Sequence, residues 1–171
     1  MAHAIGNRQL YVTTALLTFF VAPAANVEIA TAAPSTATAV PLKSVLRHCD
    51  FSQASVSPRI TREGFASGMT AIRTTGSAVY AEIHLLNTDQ PGGHYQATLI
   101  ELPRPTSAGC GEGDPGTVSS EIDLDARGEA TMLRQCLVEP GTTGIWVSVQ
   151  RPNPHSQSPL EYYSSEFVAH L

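Results

Sequence analysis

The chain has 171 residues, 10 of them basic and 15 acidic, for a formal net charge of −5. It has one lysine, Lys43, and its arginines are scattered along the sequence. A surface that grips nucleic acid or an anionic membrane needs clustered basic side chains, so neither partner is expected. With 42% hydrophobic residues, 15% charged residues, 13 Gly and 12 Pro, the composition is that of a turn-rich globular domain and not of a disordered chain.

Residues 1–24 read as a signal peptide: Arg8, an apolar run from Leu10 to Val21, then the small residues around Ala22-Pro23-Ala24. The run is about 12–13 residues long, short of the ~20 that a spanning helix needs. No cysteine follows it closely enough for a lipid anchor, since the first, Cys49, comes after Leu46-Arg47-His48. Residues 25–43, rich in Ala, Thr and Pro without a periodic apolar face, read as a disordered linker. A leader, such a linker and a compact domain together resemble the layout of small exported bacterial proteins. That implies a secreted or cell-envelope location and a mature protein without a membrane span; it implies nothing about activity.

Residues 44–171 read as one all-β domain, since short stretches of period-2 alternation recur between Gly, Pro, Asn and Asp. A first strand is expected near Val45–Phe51, and Ser57–Glu63 is the best place for a helical turn. Gly68–Thr75, Ala78–Asn87 and His94–Leu102 should form a three-stranded meander, its first turn at Gly76-Ser77. Val79, Ala81, Ile83 and Leu85 face one side of the middle strand, the side that belongs to the core. After the loop Pro103–Gly116, Thr117–Asp125 and Glu129–Val138 should pair as a hairpin through Ala126-Arg127. Ile145–Arg151 follows, and Leu160–Leu171 is one long or bent strand. About seven or eight strands spaced roughly 8–15 residues apart predict a single antiparallel β-sandwich, Ig-like or a small barrel.

In an oxidising compartment the three cysteines predict one disulfide and one free thiol. The Thr117–Val138 hairpin would put Cys136 opposite Thr117, at the strand end from which the loop carrying Cys110 departs. A Cys110–Cys136 bridge is therefore expected, with Cys49 unpaired and available for a disulfide-linked dimer; the rival pairing, Cys49 with Cys136, needs the first strand beside Glu129–Val138, which a sandwich also allows.

Chemical motifs are sparse. Gly-x-Ser-x-Gly, His-Glu-x-x-His and Cys-x-x-Cys are all missing, so no catalytic residue, metal ligand or cofactor is assigned. His84 and His94 fall about three positions apart along the expected ladder, too far for one ion. Glu121, Asp123 and Asp125 share a strand face and form a weak cation face at most; a helix–loop–helix calcium pattern fails because Arg127 and Arg134 stand where oxygen ligands belong. Gly109–Gly116 precedes a strand and not a helix, which removes the amides that make a phosphate cradle. Trp146, Tyr162 and Tyr163 are the candidate contact aromatics.

The expected function is that of a non-enzymatic binding or interaction module whose partner is a protein, a glycan or a small molecule. Two alternatives are a carrier with an apolar barrel cavity, opened by small inward residues such as Ala81 and Ala97, and a hydrolase with a loop-borne site.

Overall fold

The computed structural model describes residues 37–55 and 65–171. The signal peptide, most of the linker and the helical turn expected at Ser57–Glu63 lie outside them. The described part is all-β and antiparallel: β1 Thr38–Lys43, β2 Ser67–Thr75, β3 Ala78–Leu86, β4 His94–Leu102, β5 Thr117–Asp123, β6 Glu129–Leu137, β7 Gly144–Arg151, β8 Glu161–Ser165 and β9 Ala169–His170.

The alternation read from the sequence locates the core. Val79, Ala81, Ile83 and Leu85 of β3 pack against Tyr95, Ala97 and Leu99 of β4 and Ile145, Val147 and Val149 of β7 in one contiguous cluster. Each of the larger aliphatic side chains stabilises the fold by roughly 1.5–3 kcal/mol on burial.

Strand order runs β5-β4-β7-β8-β1-β2-β3-β6. β1 belongs to both layers, because Thr38–Pro41 pairs with β2 while Leu42 and Lys43 pair with β8. The first layer is thus β6-β3-β2-β1 and the second β1-β8-β7-β4-β5. β9 continues along β7 beyond β8, so the expected C-terminal strand is bent and interrupted at Glu166–Val168. The path nearly closes into a barrel, since its two end strands, β5 and β6, approach each other without pairing.

Four expectations need correction. Thr38–Lys43 was assigned by composition to the linker but forms β1, whereas Val45–Phe51, the expected first strand, is a loop. The meander stops at β3, because β4 crosses to the other layer and pairs there with β5 and β7. The β5–β6 hairpin is likewise absent: β6 pairs with β3 along its whole length. Alternation reports which face of a strand is buried but not which layer the strand joins, and splitting these pairs between layers lets two apolar faces bury each other.

The crossings are fixed where two connections meet. The Asn87 amide donates to the Gly128 carbonyl at 2.8 Å, and the Gly92 and Leu124 amides donate to the carbonyls of Asp125 and Gly93. Gly128 is required here: its φ is +80°, and a Cβ would lie 2.2 Å from the Asn87 carbonyl oxygen.

The fourth correction is the disulfide, which joins Cys49 to Cys110 with Cα atoms 5.5 Å apart and leaves Cys136 free. Once β6 pairs with β3, Cys136 lies opposite Val79 and faces the core, whereas Cys110 lies on the outer side of the second layer. A sheet separates them. Pairing of Cys49 also removes the basis for a dimer bridged through it. Burial, and secondarily the charge of Glu101, raises the Cys136 thiol above its ordinary pKa, so it is a poor nucleophile.

Candidate binding pocket

The outer face of the second layer carries a polar patch. Strand register aligns Gln96 with Gln150 and Thr98 with Ser148 across β4 and β7, and extends the hydroxyl row to Ser119 on β5 and Ser164 on β8. One pair further along, Ile100 faces Trp146. An outward face of this kind is normally wet, yet Thr98, Ile100, Trp146, Ser148 and Ser164 are all buried. Two loops cover them.

The first loop, residues 44–54, folds back on itself through His48 N–H to the Ser52 carbonyl (2.8 Å) and Ala54 N–H to the Leu46 carbonyl (2.9 Å). Its Phe51 has φ +71°, an uncommon conformation for a bulky residue. That geometry places the ring edge-on to Trp146, with centroids 5.6 Å apart, and beneath the Arg47 guanidinium, 3.9 Å from the ring centroid. Arg47 is anchored by donating to Ser164 Oγ at 3.2 Å and to the carbonyls of Phe51 (3.0 Å) and Glu166 (3.4 Å).

The second loop, residues 103–116, is held by Asp114, which accepts from the Gly111 amide at 2.8 Å, and by Thr117, which donates to the Gly111 and Asp114 carbonyls. Arg104 also donates to the carbonyls of Gly109 and Gly116. Two links join the loops. One is Cys49–Cys110; in the other, the Thr106 hydroxyl donates to Asp50. Hydrogen bonds from the Ser52 and Thr106 hydroxyls and the Ser52 amide hold the Asp50 carboxyl at about 2.

Between loops and sheet a pocket of about 190 Å³ remains, with Gln96, Thr98, Ser148 and Gln150 as its floor, Ile100 and Trp146 as an apolar wall, and Arg47, Cys110 and Gly111 at its roof. The Trp146 indole N–H is buried with no acceptor among the described residues. An unpaired buried donor of this kind costs on the order of 1–3 kcal/mol.

Of the candidate residues, Cys110 and Trp146 line this pocket and the others fall elsewhere. Trp146 and Tyr163 are each 1% exposed and Tyr162 is 9% exposed, so the three do not form an exposed contact patch. Trp146 sits under the loops, and Tyr163 belongs to a buried polar cluster. There Glu161 Oε2 accepts from Tyr95 (2.8 Å), Asn87 (3.1 Å) and Tyr163 (3.1 Å), while Arg151 donates to Oε1 at 3.3 Å. Burial, reinforced by Glu161, pushes the Tyr95 hydroxyl up to about 12, and burial raises Tyr163 as well. With its oxygens occupied, this carboxylate ties the β3–β4 crossing to β8 and is not placed to act as a base.

The proposed cation face is divided. His94 lies 2.7 Å from Asp123 and 3.8 Å from Glu121, whereas Asp125 lies beyond the end of β5 and accepts from the Arg127 and Glu129 amides in the turn. His84, in the other layer, contacts Glu82 and Thr131. Among the described residues no group of three or more His, Cys, Asp or Glu side chains is arranged to hold a metal ion.

Among the described residues no loop covers the outer face of the first layer. Leu133 and Leu137 of β6 are 62% and 75% exposed, and a shallow groove of about 380 Å³ runs over Met69, His84 and Leu86. Arg134 occupies an inward-facing position opposite Ala81 at the open edge of β6 but is itself exposed, a charge that discourages addition of another strand.

Sequence reading missed the pocket because its floor reads as an ordinary solvated strand face. The available signal was the pair Ile100 and Trp146, large apolar residues that follow Gln96 and Thr98 on one strand face and precede Ser148 and Gln150 on the other. No protein-family model, no curated protein and no solved structure matches this chain.

Proposed function

We propose that this chain is an exported, non-enzymatic binding protein whose ligand site is the loop-roofed pocket over β4 and β7. The observation that carries this reading is the cross-linked roof: two loops distant in sequence are joined by Cys49–Cys110 above a floor of Gln96, Thr98, Ser148 and Gln150. A disulfide fits an oxidising compartment outside the cytosol. Loops held by a rigid scaffold are where binding residues concentrate, and a roof fixed in advance lowers the ordering cost of binding. The carrier reading has less support, because Ala81 and Ala97, the small inward residues it relies on, share one contiguous core cluster with the larger side chains of Ile83, Tyr95, Leu99, Val147 and Val149.

A thermal-shift screen of a chemically diverse fragment set tests the reading, since a compound that binds only the native state raises the melting temperature. Stabilising compounds should lose their effect on the Gln96→Ala/Gln150→Ala variant. Retention of every such shift by that variant would refute the assignment.

A further inference from the structure

We infer that the pocket selects a neutral, multiply hydroxylated ligand about the size of one sugar ring, either free or at the end of a glycan. This rests on the reading of the pocket as the binding site and adds to it the chemistry of the ligand.

Size sets the first limit. At about 190 Å³ the pocket is below the ~300–1,000 Å³ of sites that enclose drug-sized molecules, which leaves room for a single small ring.

Hydrogen-bond chemistry sets the second. Gln96, Thr98, Ser148 and Gln150 each both donate and accept, as a sugar hydroxyl does. Their present bonds are mostly to one another or to near neighbours: Gln150 donates to Ser148 at 3.3 Å, Thr98 pairs with Ser119 at 2.9 Å, and Gln96 reaches Glu112 at 3.5 Å. Ligand hydroxyls can replace the longer of these with bonds of the same kind, so little desolvation cost goes uncompensated. An oxygen of the ligand would also suit a wall containing the unpaired Trp146 donor.

Charge sets the third. Among the described residues Arg47 is the one charged side chain lining the pocket, and it already donates to Ser164, Phe51 and Glu166; the Glu112 carboxylate lies outside the lining and accepts from Gln96. An anion would have to break the Arg47 bonds, and a cation would meet Arg47 in the lining, with the Glu112 carboxylate reached only through Gln96. Ile100 and Trp146 provide the apolar side that the C–H face of a ring requires.

The test is a ¹H–¹⁵N NMR titration of the oxidised full chain with the methyl glycosides of arabinose, galactose, mannose and N-acetylglucosamine and their disaccharides. Glucuronate, glucosamine and inorganic phosphate form the charged arm. At least one neutral glycoside should shift the side-chain amides of Gln96 and Gln150, and Thr98→Val should weaken its binding about tenfold. Gln150→Ala, checked for an unchanged melting temperature, guards against a fold defect in the first variant. Response to free glycosides distinguishes a small-molecule binder from one that responds only to the disaccharides and so reads glycan ends. If the pocket amides respond only to the charged arm, the ligand class is wrong while the pocket stands. If the pocket amides respond to neither arm, the inference is overturned; the fragment screen then decides the fate of the pocket reading.

Discussion

Cys49 and Cys110 are separated by 61 positions in the chain, and their bond closes one loop over another on the outside of a sheet that would otherwise be wet. A closed segment of that length restricts the unfolded chain by on the order of 4 kcal/mol. The Cys49→Ser/Cys110→Ser variant should therefore melt roughly 10 °C lower. Trp146, 1% exposed in the native chain, should become accessible to a fluorescence quencher below the melting transition. Unchanged quenching would mean that the roof closes without the bond.

The second link between the loops should weaken in acid. Asp50 is held at about 2 by its bonds to Ser52 and Thr106, below its value in an unfolded chain. A depressed carboxyl contributes its stabilisation above the ordinary range near ~4 and loses it as pH falls through the folded value. Trp146 quenching should thus rise between about pH 4 and 2, and Asp50→Asn should show the increase already at neutral pH. A flat profile in the native chain would contradict this role.

The buried cluster around Glu161 should dominate alkaline behaviour. Tyr95 is raised to about 12, and Tyr163 is also raised. Groups whose protonated form is favoured by folding contribute stability below their unfolded value near ~10 and lose it as pH climbs towards the folded value. Tyrosinate absorbance should show these hydroxyls ionising only with unfolding. Glu161→Leu strands Asn87, Tyr95, Tyr163 and Arg151 without their acceptor, and a loss of roughly 3–5 kcal/mol in denaturant melts is expected.

At the meeting of the two crossings, Gly128→Ala should cost about 3 kcal/mol, because it forces both a left-handed backbone and an overlap with the Asn87 carbonyl. The control is Gly76→Ala, at φ +59° with open space around it, where only the backbone term of about 1 kcal/mol applies. Equal effects in chemical denaturation would show that the packing between the crossings carries no weight.

The all-β class and the inward face of β3 were legible because alternation is a local property that burial enforces on every strand. The choice of layer was not. Asn87 and Gly128 lock the crossings through contacts between segments distant in sequence, and no local pattern distinguishes that arrangement from a meander. The disulfide followed the same error, since placing Cys136 beside Cys110 required a hairpin that does not form. The pocket was partly readable: Ile100 and Trp146 signalled a cover over their strand faces, but what covers them depends on the same long-range pairing.

The chain contains one tryptophan, so its indole N–H gives a single NMR resonance, and it belongs to a residue that lines the pocket. Following that resonance together with the Gln96 and Gln150 side-chain amides during titration with any compound that stabilises the protein tests the central claim most directly. Binding in the pocket predicts that all three move along one saturation curve and that the Gln96→Ala/Gln150→Ala variant abolishes the indole shift. A compound that saturates the protein while leaving these resonances in place would contradict it.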